Sequence, residues 1–63
     1  MWTVIYIAPN RKVAESVKEI LVAEGILVKL RQVGESKSDK GTIEVMVPEV
    51  EAEEACEIIA KLV

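Results

Sequence analysis

Histidine and phenylalanine are absent from these 63 residues, and cysteine occurs once. One thiol forms no internal disulfide, and without histidine it cannot complete a four-ligand zinc site. A nucleophile also needs a base within reach, and no imidazole is present to serve as one. Three glycines and two prolines leave no glycine-rich phosphate loop and no low-complexity linker. The carboxylates gather toward the C-terminal end in a pattern that suits a solvated helix face, not a paired acid–base site. The expectation is therefore no enzyme, no metal and no cofactor. No apolar run approaches the ~20 residues that span a bilayer, and no basic stretch followed by an apolar one opens the chain, so the reading is cytoplasmic, with no membrane partner. A net charge of −3 argues against a general binder of phosphate backbones.

What is present belongs to a folded domain. Hydrophobic residues make up 51% of the chain and charged ones 30%, which is too apolar for disorder. So short a chain buries only about 60% of the surface that its unfolded form exposes. With disulfides and metals excluded, association is the remaining source of stability, and a homodimer is the default expectation.

Trp2–Ala8 (WTVIYIA) is rich in β-branched and aromatic residues and stops at Pro9, which marks a strand. Strict alternation puts Thr3, Ile5 and Ile7 on one face and Trp2, Val4 and Tyr6 on the other. Asn10 is a good N-cap. Over residues 11–24 the helical spacing gathers Val13, Ala14, Val17, Ile20, Leu21 and Ala23 on one arc, with Val22 left on the polar side. Gly25 ends the helix. Residues 26–33 (ILVKLRQV) read as a second strand, with Ile26, Val28 and Leu30 buried and Leu27, Lys29 and Arg31 facing away. Residues 34–41 (GESKSDKG) form a polar loop. Residues 42–47 (TIEVMV) are a third strand with Ile43, Val45 and Val47 inward, closed by Pro48. Over 51–63 a second helix carries Ala52, Ala55, Cys56, Ile59, Leu62 and Val63 on one arc, and its leading acids suit the positive end of the helix dipole.

Two helices with one apolar stripe each must bury them on the same face of the sheet. The expected fold is α+β: a single βαββα domain over 1–63, with a three-stranded antiparallel or mixed sheet in the order 1-3-2. This is a ferredoxin-like arrangement without its last strand. Strand one then has a free edge that is long, apolar and without a lysine or proline guard.

Four places could carry function. At the turn into the first helix, Asn10, Arg11 and Lys12 could hold a small anion or nucleotide phosphate on free backbone amides. The plainer alternative pairs Arg11 with Glu15 and leaves Lys12 solvated. The outer sheet face collects Trp2, Val4, Tyr6, Leu27, Lys29, Arg31, Glu44 and Met46, a mixture of apolar and charged groups as found at interfaces. It reads as a dimer or partner surface. An ordinary amphipathic sheet with cross-strand charge pairs is the alternative, and base stacking on Trp2 and Tyr6 is disfavoured by the missing aromatic signature of sheet-surface RNA binders. The loop offers Glu35, Lys37, Asp39 and Lys40 as target contacts, or is simply a hairpin connection. Cys56, mid-arc on the second helix, is expected to be buried and unreactive.

Several segments also look familiar together: Tyr6-Ile7-Ala8-Pro9-Asn10, Glu24-Gly25-Ile26, Val47-Pro48-Glu49 and the run AEEACEII over 52–59. They resemble a family of small bacterial domains of unknown function assigned to signal transduction. The resemblance spans nearly the whole chain and rests on caps and strand ends. It implies a ferredoxin-like fold related to the PII-type nitrogen-signalling proteins, and a regulatory role through protein contact. In those proteins the long loop after strand two engages targets; here 34–41 stands in its place, far shorter and with no nucleotide-binding motif.

Overall fold

A computed structural model describes residues 1–33 and 42–62. Its elements follow in the order β1 (Trp2–Ala8), α1 (Arg11–Ala23), β2 (Lys29–Val33), β3 (Thr42–Pro48), a 3-10 turn (Glu49–Glu51) and α2 (Ala52–Ala60). The sheet order is β1-β3-β2, and β3 pairs antiparallel with both neighbours. The fold is α+β and ferredoxin-like, and the sheet is antiparallel throughout, which resolves the mixed alternative.

Helix α1 is fixed at both ends by local chemistry. The Asn10 side-chain oxygen accepts a hydrogen bond from the Val13 amide at 2.9 Å, satisfying a donor that has no partner inside the helix. At the other end Gly25 adopts φ 84°. The Ile26 amide reaches back to the Leu21 carbonyl at 3.0 Å, and the Gly25 amide to that of Val22 at 2.9 Å. These two bonds form a Schellman cap. Its hydrophobic partners, Leu21 and Ile26, are both in the core. Helix α2 has acids in its first turn, Glu53 and Glu54, and Lys61 at its C-cap, so both ends match the macrodipole.

Ile43, Val45 and Val47 on β3 form the floor of the core. Ala8, Ala14, Val17, Leu21, Ile26 and Ala55 close over it, all buried. Three of these are alanines at 0% exposure; the missing side-chain bulk lets helices and strand approach closely in a thin two-layer domain.

Three features depart from the sequence reading. First, β2 begins at Lys29, three residues later than expected, because Ile26 is committed to the helix cap. Second, β1 does not alternate strictly. Val4 faces Met46 and Tyr6 faces Val45, so Ile5 is an extra residue in the ladder. Two residues opposite one is a β-bulge. Ile5 and Tyr6 both pack against the core, and from there the faces are exchanged: Tyr6 turns inward and Ile7, 58% exposed, turns outward. Third, α2 is rotated from the expected arc. Ala55 is buried and Ala52, Ile58 and Ile59 pack on the core, whereas Cys56 is exposed. Burying Ile58 removes more apolar surface from water than burying a cysteine, and the rotation follows that difference.

Candidate interaction surface

Both helices lie on one side of the sheet, and among the described residues no element covers its other side. The pairing register places residues on that face. One row runs Val4–Met46–Lys29 across the three strands and the next runs Ile7–Glu44–Arg31. Trp2 lies beside Pro48 at one end and Val33 beside Thr42 at the other. The face therefore has an apolar column on β1, a basic column on β2 and Glu44 between them. Trp2, Val4, Ile7 and Val33 are all exposed.

Arg31 and Glu44 pair on this face, and Lys29 lies over an aromatic ring. The Arg31 Nε donates to Glu44 Oε1 at 2.8 Å. The carboxylate is shielded, with its side chain 18% exposed, while the guanidinium is 59% exposed. Lys29 reaches across β3 to place its Nζ 5.8 Å from the centroid of the Trp2 ring, within cation–π range. Arg31 thus neutralises Glu44 and Lys29 is held over an aromatic face, so covering this surface would bury no unpaired carboxylate.

Of the eight residues read onto this face, Glu44 lies there by register and six more keep compatible positions. Trp2, Val4, Lys29, Arg31 and Met46 are on the outer face by register, and Leu27 is 66% exposed in the segment before β2. Tyr6 is the correction: the bulge puts it opposite buried Val45 and among the core contacts. Ile7 takes its place outside. Nothing in WTVIYIA marks the bulge, because the strand contains no glycine and every residue in it suits a regular strand. The same shift removes one of the two aromatic rings on which base stacking was to rest.

At the β1–α1 turn the three residues do not converge. Asn10 is occupied as the cap. Arg11 turns along the helix, with Nη1 3.9 Å from Glu15 and Nη2 donating to Gln32 at 3.4 Å. Lys12 is exposed. The plainer alternative, Arg11 with Glu15, is the one observed, and at 61% and 55% side-chain exposure such a pair contributes little. An open groove of about 600 Å³ runs beside it between α1 and β2. Its apolar floor of Val28 and Leu30 is rimmed by Arg11 and Lys18 but also by Glu15 and Glu19, so its charge is mixed and favours neither ligand sign.

The loop residues Glu35, Lys37, Asp39 and Lys40 lie outside the described residues. Among the described residues no group of acidic, cysteine or histidine side chains is arranged to hold a metal, and no helix is long and apolar enough to cross a membrane. Comparison with models of protein families, with curated proteins and with solved structures finds no match.

Proposed function

We propose that this chain is a small, non-enzymatic regulatory module that works by protein contact through the outer face of its sheet. The observation that carries the reading is the β1 column, in which Trp2, Val4 and Ile7 stand exposed beside the Arg31–Glu44 pair, with Lys29 over the Trp2 ring. Interfaces combine such aromatic and apolar anchors with a polar rim. A role in signal transduction, as in the PII-type proteins, draws its support from the sequence resemblance alone. Binding of a small anion at the β1–α1 turn has less support, since only Lys12 and the backbone amides are left to make it. Binding of nucleic acid has less again.

The test is affinity capture from a cell extract, with bait carrying Ile7→Glu and a control bait carrying Val22→Glu. Val22 is 51% exposed on α1, away from the sheet. Partners retained by the parent and the Val22 variant, and lost with the Ile7 variant, are expected. An Ile7→Glu bait that stays folded and retains every partner would show that the outer face is not the contact surface. Amide shifts at residues 10–13 on titration with phosphate or ATP would move the function to the turn.

A further inference from the structure

We propose that the free edge of β2 captures an extended segment of another protein as a fourth strand, one that alternates apolar side chains with carboxylates. This surface is distinct from the outer face and does not depend on Ile7.

β2 ends the sheet order, so among the described residues no strand pairs its outer edge. Its backbone is regular. The ladder to β3 runs from Lys29–Met46 to Val33–Thr42 with no shift of register, and KLRQV contains no proline. Such an edge offers its amides and carbonyls at the spacing an incoming strand needs. The edge of β1 does not, because the extra residue at Ile5 interrupts that spacing, and bulges are a common means of blunting sheet edges.

Charged side chains, lysine above all, are another means of guarding an edge, and β2 carries two cations. Both are drawn back over the sheet. The Lys29 ammonium lies 5.8 Å from the centroid of the Trp2 ring, on the far side of β3. Arg31 is turned onto Glu44 of β3 itself. The edge is thus left open by the two groups that could have blocked it.

The two sides of the edge then decide what fits. On the helix side the groove beside α1 follows β2, with Val28 and Leu30 as its floor, and both are only half-buried. An added strand turns every second side chain toward this groove, where apolar groups complete the cover of Val28 and Leu30. The intervening side chains stand on the other side, next to Lys29 and Arg31, and opposite charge is favourable between such cross-strand neighbours. Arg31 can serve a second carboxylate, because Glu44 engages only Nε and Nη2 of a group with five donors. Lys29 gives up only an exposed aromatic ring. The same charges turn away a second copy of this chain, since β2 against β2 would bring cation beside cation.

The test uses the full chain, labelled with nitrogen-15, and two short blocked peptides, one alternating valine with glutamate and the other valine with lysine. The glutamate peptide should shift the amides of residues 28–33, slow hydrogen exchange along β2 and bind about tenfold more tightly than the lysine peptide. The chain's net charge of −3 attracts the lysine peptide at long range, so a preference for glutamate reports the local cations. Lys29→Glu should cut that preference, whereas Ile7→Glu should leave it intact, which separates the edge from the outer face. Equal affinity for the two peptides, or a preference for lysine, overturns the acidic partner. No shifts at millimolar peptide, or shifts at Trp2, Val4 and Ile7 with exchange along β2 unaltered, overturn the edge.

Discussion

Asn10 contributes through one oxygen. Its bond to the Val13 amide satisfies a donor that the first turn of α1 leaves open, and Arg11 and Lys12 just behind it oppose the dipole. Replacement by alanine is expected to cost about 1 kcal/mol in urea unfolding, whereas Asn10→Asp should retain the cap and add a favourable charge. If Asn10→Ala leaves stability unchanged, the observed bond contributes nothing. Gly25 is limited by backbone alone: a Cβ there would meet no atom within 4 Å, yet φ is 84°. Gly25→Ala should therefore lose about 1–2 kcal/mol, with no change in the core signals of an NMR spectrum. Both caps were legible in the sequence, because their physics is local and complete within five residues.

At the scale of elements, legibility depended on whether competing residues were near-equal. The arc of α1 is set by Ala14, Val17 and Leu21, and no polar residue interrupts it. In α2, Cys56 and Ile58 competed for the buried side, and side-chain area decided in a way that spacing alone did not reveal. Cys56 is expected to react with an aromatic disulfide reagent to one equivalent in the native state; protection until denaturant is added would contradict its exposure. The bulge in β1 was invisible for a different reason, since it depends on the register against β3 and not on any residue of β1. That register makes a sharp prediction. Because Val4 already faces Met46 and Tyr6 faces Val45, deleting Ile5 should join two correctly faced segments into a regular ladder. The deletion variant should fold, losing only the half-buried Ile5 side chain, roughly 1–3 kcal/mol. It should also aggregate more readily, its edge no longer interrupted. Complete unfolding of the variant would mean that the bulge is required for the fold.

For the whole molecule, the sheet order followed from the sequence because two striped helices and three strands leave few ways to bury every stripe on one face. Which side remained open followed with it, but the identity of the residues there did not, since one extra residue exchanged Tyr6 for Ile7. That exchange bears on stability as well as on contact. A partner that binds only the folded chain stabilises it by mass action, so the homodimer expected of so short a chain, if it closes over Ile7, makes unfolding depend on concentration. When the chain concentration is about ten times the dissociation constant, the gain is roughly 1.4 kcal/mol. For a domain this small that corresponds to a rise in melting temperature of about 5–10 °C. Melting temperatures of the parent should therefore climb between micromolar and millimolar protein, while those of Ile7→Glu stay level. Parallel slopes for the two would assign the dependence to some other surface. A level line for both would mean that this small core holds without association, its margin supplied by the two helix caps and the alanine-tight packing over β3.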